Sequence, residues 1–397
     1  MAQTVLVFNA GSSSLKFTLL DVDSSKVLVE GIAERLGTVE AVLHVRLPTE
    51  KLSAELADAT HNGALQAILD ALSSYDKPSV IGHRVVHGGT QFSESVLITP
   101  AVIRAIESCS TLAPLHNPAN LEGINAAITN YPNVPQVAVF DTAFHATIPD
   151  YAYLYALPRQ LEHDFNIRKY GFHGTSHRYI SGEVAKLSNV SPNEQHIVIA
   201  HLGNGGSVTA VAQGKSVDTS MGMTPTDGLV MGTRSGSLDP GILIHLMTTY
   251  GYDAEQLDSL INKQSGLLGL SALSSDMREL EEAEGAGSDA ATLAIEVFCY
   301  RLAQNIAAMA IALPRLDALV FTAGIGENSP LIRERTVKWL VLLGIVIDAE
   351  LNHGAARKAA TKISPESAAV AVWVIPTNEE LMIANEAIEL ITAAGEQ

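Results

Sequence analysis

The chain has 397 residues, of which 47% are hydrophobic and 17% are charged. This length exceeds what one compact core usually takes and predicts two domains, and the composition excludes intrinsic disorder. Acidic residues outnumber basic ones 43 to 25, so the formal net charge is −18, which argues against nucleic acid as a partner. Any bound polyanion would need the few Lys and Arg residues to cluster at its site.

The cysteines and the apolar stretches bear on the cellular setting. Cys109 and Cys299 show no CxxC spacing, so neither a disulfide framework nor a zinc site is expected, and a reducing, cytoplasmic compartment fits. The start of the chain lacks a basic region followed by a long apolar run and does not resemble a signal peptide. The longest apolar helical stretch, residues 290–313, contains several polar and charged residues, which predicts a buried helix rather than a membrane span.

Short apolar runs and amphipathic segments alternate along the chain, which predicts an α/β architecture. The predicted strands cover residues 4–8, 137–140, 197–200, 318–322 and 369–375. Helices are predicted at 63–73 and 290–313, and a capping box of Thr377 and Glu380 predicts the start of a last helix. Residues 39–54 and the acidic run 279–289 show no regular pattern and are expected to form surface loops.

Two segments about half a chain apart share one pattern. VLVFNAGSSSLKF at 5–17 and IVIAHLGNGGSVTAV at 197–211 each consist of an apolar strand, a loop of small residues and a second apolar run. Small residues in such a turn let backbone N–H groups approach a phosphate. The repetition predicts two similar domains that each lend one loop to a shared cleft. An ordinary glycine-rich hairpin is the alternative for either copy taken alone.

Several motifs in the first half carry residues suited to binding anions. NAGSSSLK holds Asn9 and Lys16 beside three serines, although its order is not that of a Walker A loop. GHRVVHGG holds Arg84, which could clamp a carboxylate or phosphate, or could be an ordinary surface arginine. PLHNPAN places His116 on a tight loop, where an imidazole can donate to an oxyanion. Asp141 ends the strand in VFDTAFH and either faces a ligand crevice or caps a turn.

The second half repeats this chemistry. YGFHGTSH places His173 on a tight loop, and no HExxH spacing supports a zinc site instead. The glycine-rich run 223–240 has Arg234 at its centre, which makes a phosphoryl clamp of two arginines conceivable. GIGEN at 324–328 follows a predicted strand and could cradle a nucleotide. Glu379, in TNEE, is either a favourable acid in the first turn of a helix or a carboxylate near Mg²⁺.

Nine motifs occur in the order found in acetate kinases, from residue 5 to about 386: NAGSSSLK, GHRVVHGG, PLHNPAN, VFDTAFH, YGFHGTSH, HLGNGGS, MGTRSG, FTAGIGENS and TNEELMIA. The chain therefore resembles the acetate kinase family. The resemblance implies the duplicated actin/Hsp70/sugar-kinase (ribonuclease H-like) fold, with two domains flanking a nucleotide cleft. The implied domains are 1–144 plus 379–397, and 145–378. It further implies a homodimer that transfers phosphoryl directly between ATP and acetate with Mg²⁺ or, as a possibility, Mn²⁺.

The resemblance also implies roles for individual residues. The implied catalytic residues are Arg84, His116, Asp141, His173 and Arg234. The implied acyl-substrate residues are Arg84, Val86, Leu115, Phe172 and Pro225. The implied nucleotide-binding residues are Lys16, His201, Leu202, Gly203, Asn204, Gly205, Asp276, Met277, Arg278, Gly324, Ile325, Gly326, Glu327 and Asn328. The implied metal ligands are Asn9 and Glu379.

Two positions depart from the family pattern, and two other activities compete. Asp227 and Ser237 stand where the family usually has Glu and Asp, and both flank Arg234. A propionate or butyrate kinase of the same superfamily is the nearest alternative. An Hsp70-like chaperone or filament ATPase is the alternative from another class, and it would leave Arg84 and His173 without a role.

Overall fold

A computed structural model describes residues 3–11, 13–114, 116–356 and 358–395. The chain divides into two units, Met1–Ala146 with Asn378–Gln397, and Thr147–Thr377. Within the described residues, no helix has the length and apolar character needed to cross a membrane.

The described part of the first unit is built on a mixed sheet. Its strands are β1 (Thr4–Gly11), β2 (Ser14–Asp21), β3 (Lys26–Glu34), β4 (Val42–Arg46), β5 (Lys51–Glu55), β6 (Val80–Val85), β7 (Val96–Leu97) and β8 (Gln136–Phe140). The spatial order is β5-β4-β3-β2-β1-β6-β8-β7. β1 is antiparallel to β2 and parallel to β6, which is parallel to β8. The helices before the chain leaves this unit are α1 (His61–Ala71), α2 (Pro100–Ser108) and α3 (Asn117–Asn130).

The second unit contains a second mixed sheet. Its strands are β9 (His196–Leu202), β10 (Gly206–Ala212), β11 (Lys215–Thr219), β12 (Ala318–Thr322), β13 (Thr361–Lys362) and β14 (Ala371–Val374). Its helices are α4 (Asp150–Tyr153), α5 (Arg159–Phe165), α6 (Gly174–Ser188), α7 (Pro240–Tyr250), α8 (Ala254–Lys263), α9 (Gly266–Ser271), α10 (Met277–Gly285), α11 (Asp289–Ile311), α12 (Ala323–Asn328), α13 (Pro330–Lys338) and α14 (Ala349–His353). The strand order is β11-β10-β9-β12-β14-β13.

The two sheets share one topology. The run β3-β2-β1-β6-β8 in the first sheet corresponds to β11-β10-β9-β12-β14 in the second. In both, three antiparallel strands are followed by two strands that are parallel to the first strand of the unit. The repeated segments 5–17 and 197–211 form the first hairpin of each sheet. This duplication confirms the predicted actin/Hsp70/sugar-kinase fold.

The chain returns to the first unit with α15 (Glu379–Gly395). This helix packs against β6 because Gly82 has no side chain: a Cβ there would lie 2.6 Å from Cγ2 of Ile383. Gly82 and Arg84 point to the same face of the strand, and Glu379 lies one helical turn before Ile383. The close approach at Gly82 therefore brings Glu379 towards Arg84.

Most predicted elements are confirmed, but three predictions are wrong. The cap of α15 is Asn378, whose Oδ1 accepts a hydrogen bond from Leu381 N–H (3.0 Å), so the predicted capping box does not form. The segment 39–54 contains β4 and most of β5; the side chains of β5 are all exposed, so no apolar alternation marked the strand. The acidic run 279–289 lies largely in α10, which Asp276 caps; Glu279 and Glu282 are exposed, whereas Glu284 pairs with Arg335.

The tight contact at Gly82 generates a prediction about stability. Replacing Gly82 with Ala forces Ile383 and α15 away from the sheet, and such overpacking costs about 1–3 kcal/mol. We therefore expect Gly82→Ala to lower the midpoint of thermal unfolding, measured by calorimetry.

Gly182→Ala is the matched control, because Gly182 lies within α6 and a Cβ there meets no atom within 4 Å. Alanine is a better helix former than glycine, so this control should be neutral or stabilising. Equal effects of the two substitutions would contradict the packing argument.

Candidate functional site

Three polar side chains of the first sheet converge because they end runs of alternating residues. Along β1, β6 and β8, the residues Val5, Val7, Val80, Val137 and Val139 pack on the α15 side of the sheet. Continuing this alternation past the apolar positions places Asn9, Arg84 and Asp141 on the same side. The three strands are mutually parallel, so these residues sit at neighbouring carboxyl ends. Such ends are where ligands bind in open α/β sheets.

Arg84 is the centre of this first group. Its Nε donates to Asp141 Oδ1 (3.1 Å), its Nη2 donates to Asp141 Oδ2, and its Nη1 donates to Asn9 Oδ1 (3.1 Å). Glu379 Oε2 lies 3.9 Å from Arg84 Nε. Burial alone would lower the pKa of Arg84, but the charges of Asp141 and Glu379 hold that pKa above its ordinary value. The guanidinium is therefore fixed in orientation and always charged.

For Glu379, burial and the neighbouring charges combine to shift the pKa in the opposite sense to what an arginine partner alone would do. Burial, with repulsion from Asp141 and Glu380, raises the pKa of Glu379 to about 7, although Arg84 opposes the shift. The oxygens of Asn9, Asp141 and Glu379 are the donor type that Mg²⁺ prefers, and a divalent cation would relieve the repulsion. Among the described residues, no group of three His, Cys, Asp or Glu side chains could enclose a metal. Mg²⁺ usually keeps several waters as ligands, which suits a small set of protein oxygens.

The segment after β6 is held by two buried asparagines that sequence reasoning did not single out. Val86 N–H donates to Asn120 Oδ1 (3.0 Å), and Asn120 Nδ2 donates to the Ala10 carbonyl (2.6 Å). Asn117 exchanges hydrogen bonds with the backbone of His87. The recurrence of Asn in PLHNPAN was the available signal. These contacts fix the backbone on which Arg84 and Val86 sit.

The other predicted residues of the first unit have varied positions. Val86 is buried, but β6 ends at Val85. The alternation of side chains along the strand therefore does not determine which way the Val86 side chain points. His116 is half-buried and directly precedes α3. Leu115 lies outside the described residues. Lys16 is exposed on β2 opposite Asn9, so their side chains share a face of the sheet.

In the second unit, His173 belongs to a network of histidines and hydroxyls. Its backbone is left-handed (φ 58°), directly before α6. Its Nδ1 lies 3.0 Å from Ser207 Oγ, which is also 2.8 Å from His177 Nε2, and its ring stacks on His201 at 4.2 Å between centroids. Sequence reasoning missed Ser207, which is buried in β10. These contacts fix the ring plane of His173.

Arg234 approaches His173 at Gly205. A Cβ at Gly205 would lie 3.4 Å from Arg234 Nη1 and 3.7 Å from His173 Nε2. Arg234 Nη1 donates to the Pro225 carbonyl (3.3 Å), and burial lowers the pKa of Arg234 with no charged neighbour to offset it in the described part of the chain. A partly buried guanidinium without a carboxylate partner is suited to an anion from solution. Phe172, next to His173, is buried.

Eight predicted nucleotide-binding residues line one cavity of about 700 Å³ in the second unit. They are Gly203, Asn204, Asp276, Met277, Arg278, Gly324, Ile325 and Asn328. His201, Leu202, Gly205, Gly326 and Glu327 do not line it, and Lys16 belongs to the first unit. The cavity has the size of a small-molecule site.

The GIGEN segment follows β12, as the sequence predicts. It forms the short helix α12, and the left-handed residue after β12 is Ala323 (φ 63°) rather than a glycine. Glu327 Oε1 accepts a hydrogen bond from Thr377 N–H (3.1 Å), and burial raises the pKa of Glu327. Its carboxylate therefore supports the chain before α15 instead of lining the cavity.

A buried arginine supports α12 and gave no signal in the sequence. Arg333 is 1% exposed, and its Nη1 donates to the carbonyls of Gly326 (2.9 Å) and Glu327 (3.1 Å). Its Nε and Nη2 bond Asn352, and burial lowers the pKa of Arg333 to about 10. At the cavity rim, hydrogen bonds from Arg278 lower the pKa of Asp276 to about 2, which keeps that carboxylate ionised.

The duplicated fold, the arginine and histidine that lie close together at Gly205, and the cavity of the second unit define a kinase of the actin/Hsp70/sugar-kinase type. The model of the acetokinase family matches residues 4–385, and the chain belongs to this family.

The similarity to known proteins extends over nearly the whole length of the chain. The acetate kinase of Shewanella baltica (strain OS155 / ATCC BAA-1091) is 50% identical over 393 residues, 98% of each chain. The acetate kinase of Stutzerimonas stutzeri (strain A1501) is 50% identical over 99% of this chain and 100% of its own. Among solved structures, Porphyromonas gingivalis acetate kinase has a TM-score of 0.94 at 44% identity, covering 98% of this chain and 100% of that one. A propionate kinase from Francisella tularensis reaches 0.93 at 45% identity, with the same coverage.

The buried histidines of GHRVVHGG generate a pH prediction. His83 Nε2 lies 2.7 Å from Gln136 Oε1, and burial lowers the pKa of His83 to about 4. The unfolded chain binds the proton at the ordinary value of 6.5, so this contribution to stability is present above pH 6.5 and is lost as pH falls towards 4. By pH 5 the loss amounts to about 2 kcal/mol.

Thermal unfolding at pH 7.5 and pH 5.0 tests this. His83→Gln should show a smaller drop between the two pH values than the unsubstituted protein. His163→Gln, whose histidine is 87% exposed, should show the full drop. An undiminished drop in His83→Gln would mean that another group carries the acid sensitivity.

Proposed function

We propose that this chain catalyses the reversible transfer of a phosphoryl group from ATP to acetate, giving ADP and acetyl phosphate. The observation that carries the proposal is the 50% identity to proteins named acetate kinase over 98% of the chain. The arginines and the histidine described above supply the chemistry that such a transfer needs.

In the second unit, Arg234 and His173 are proposed to meet the charge of the transferring phosphoryl group. Arg234 has no carboxylate partner among the described residues, so an anionic ligand would neutralise it. His173 is held by Ser207 and His201 and need not reorganise during the reaction. Donors that are fixed before charge develops are the main source of electrostatic stabilisation in enzymes. We propose His116 as a supporting donor.

In the first unit, Arg84 is proposed to bind the acetate carboxylate. A guanidinium has five N–H donors, and three of those of Arg84 point to Asp141 and Asn9. Two remain for a substrate. An acetate ion is already ionised at neutral pH, so its attack on phosphorus requires no general base. Asp141 therefore acts by orienting Arg84, rather than by removing a proton.

The remaining assignments follow the same logic. ATP is proposed to occupy the 700 Å³ cavity, with Lys16 contacting its phosphates. Mg²⁺, held by Asn9 and Glu379, would supply charge neutralisation on those phosphates. Val86, Leu115, Phe172 and Pro225 are proposed to contact the acyl group, as the resemblance implies. The two buried cysteine thiols, Cys109 and Cys299, support a reducing compartment, and we propose the cytoplasm.

A propionate kinase is the second candidate, because a propionate kinase of known structure has 45% identity and a TM-score of 0.93. One methylene changes binding in an apolar pocket by only about 1–3 kcal/mol, so the two acids can share one site. Acetate is favoured here by the identity to named acetate kinases.

Formation of acyl phosphate, trapped as the hydroxamate, tests the function. The purified protein with ATP and Mg²⁺ should produce acyl phosphate from acetate with the highest kcat/KM, followed by propionate and butyrate. Arg234→Ala should lower kcat by about 10³–10⁵, the range for arginines that stabilise this kind of transition state.

Arg315→Ala is the control, because Arg315 is 58% exposed and pairs with Asp317. It should keep the activity of the unsubstituted protein. Higher kcat/KM for propionate would select the second candidate, and no acyl phosphate from any acid would refute both. Near-normal kcat in Arg234→Ala would remove Arg234 from the reaction.

We also propose a homodimer formed through α7. This helix buries none of its residues within the chain, and Ile242, Ile244, Met247 and Tyr250 are 48–67% exposed. Its sequence, PGILIHLMTTY, has no Asp, Glu, Lys or Arg. Exposed apolar surface of this kind marks an interface, and the absence of charge suits contact between two copies of an acidic chain.

Light scattering after gel filtration should give the mass of two chains. Ile244→Lys introduces a charge into the apolar face and should shift the mass towards one chain. Val39→Lys, at a fully exposed valine in the first unit, should leave the mass unchanged. A dimer that survives Ile244→Lys would place the interface elsewhere.

A further inference from the structure

Asp227 and Ser237 contact one another. Ser237 Oγ donates to Asp227 Oδ1 at 2.6 Å. The Gly228 N–H donates to both side chains, at 2.8 Å to Asp227 Oδ1 and 3.1 Å to Ser237 Oγ. A hydroxyl bonded to an ionised carboxylate is a strong, charge-assisted hydrogen bond. The contact thus joins residues ten positions apart in the chain.

This contact closes the loop that carries Arg234. The Ser237 N–H donates to the Gly228 carbonyl (3.1 Å), and the Met231 N–H donates to the Arg234 carbonyl (3.1 Å). Gly236 adopts a left-handed conformation (φ 71°), and a Cβ there would collide with the Leu229 carbonyl. The loop 227–237 is therefore folded back on itself, with the Asp227–Ser237 contact at its two ends.

The same carboxylate also faces the segment that leads to His173. A Cβ at Gly222 would lie 2.9 Å from Asp227 Oδ2 and would also collide with the Tyr155 hydroxyl, so the three residues are closely packed. The Gly222 carbonyl accepts from the N–H groups of Tyr170 (3.1 Å) and Gly171 (3.2 Å). These two residues lead directly to Phe172 and His173. Asp227 is therefore placed between the loop of Arg234 and the segment of His173.

We propose that Asp227 and Ser237 form a clasp that positions Arg234 relative to His173. Both are positioning residues, since each acts through the loop that carries Arg234. The inference rests on the proposed function. In this chain the serine at 237 donates to the carboxylate of Asp227, whereas an acidic residue at 237 would face that carboxylate with like charge.

Removing either half of the clasp should affect the turnover more than binding. We expect Ser237→Ala to lower kcat by about tenfold, as for a lost hydrogen bond to a charged group, while KM for ATP changes less than about twofold. Asp227→Ala should have a similar effect, and the double variant should be no worse than Asp227→Ala alone, because both act through one contact. Ser235→Ala is the control, because among the described residues that hydroxyl bonds just the adjacent Gly236 carbonyl.

Exchanging the charges of positions 227 and 237 distinguishes a specific loss of the clasp from a general loss of stability. Ser237→Asp should lower kcat more than Ser237→Ala does, because it opposes two carboxylates. Adding Asp227→Asn should recover at least half of the lost activity, because the amide can donate to the new carboxylate. Hydrogen exchange of the backbone amides at 228–237 should rise in Ser237→Ala and return towards normal in the exchanged pair.

The outcomes are distinguishable. If the unsubstituted protein forms no acyl phosphate, the proposed function fails, and the amide exchange still tests the clasp. If it is active but Ser237→Ala and Asp227→Ala both keep more than half of its kcat, the clasp is refuted. Additive losses in the double variant, or no recovery in the exchanged pair, would also refute it.

Discussion

The ion pair of Arg84 and the buried Asp141 is the interaction on which the geometry at the carboxyl ends of β6 and β8 depends. A buried guanidinium without a partner would be strongly unfavourable, and removing one partner of such a pair leaves an uncompensated charge. The pair forms only because β6 and β8 are parallel neighbours in a fixed register, with Arg84 opposite Val139. A slip of one residue would turn both side chains to the other face of the sheet. The apolar residues that precede them in each strand therefore secure the geometry of the charged ones.

Arg84 of the first unit and Arg234 of the second differ in how their neighbours hold and neutralise the guanidinium. Arg84 is fixed by Asp141 and Asn9 and keeps part of its donor capacity, whereas Arg234 is only partly compensated, by the carbonyl of Pro225. The first arrangement gives orientation at the expense of net charge. The second keeps net charge and requires the surrounding loop to supply the orientation. That requirement explains why hydrogen bonds are concentrated at the ends of the Arg234 loop.

The sequence predicted what depends on local pattern and on motif order. Alternating strands and helices predicted the α/β architecture, and the repeated hairpin predicted two similar domains. The order of the motifs implied the particular fold, and the motifs themselves contained Arg84, Asp141 and Arg234. The sequence did not reveal Asn120, which bonds the carbonyl of Ala10, 110 positions away. Nor did it reveal Arg333, which bonds the carbonyls of Gly326 and Glu327 without any periodic spacing. Nor could it show that Asp227 and Ser237 touch, because the contact requires the loop to fold back. Partners that depend on loop closure have no periodicity from which to predict them.

The charge of the chain can be reconciled with an anionic substrate. A net charge of −18 repels a nucleotide phosphate at long range, but in physiological salt this repulsion is screened within about 8 Å. Binding then depends on the few groups within that distance. In the second unit the acidic groups nearest the cavity are partly neutralised locally: Asp276 is paired with Arg278, and Glu281 accepts a hydrogen bond from Ser329. Arg234, which has no carboxylate partner among the described residues, keeps its positive charge available to an anion although the protein as a whole is acidic.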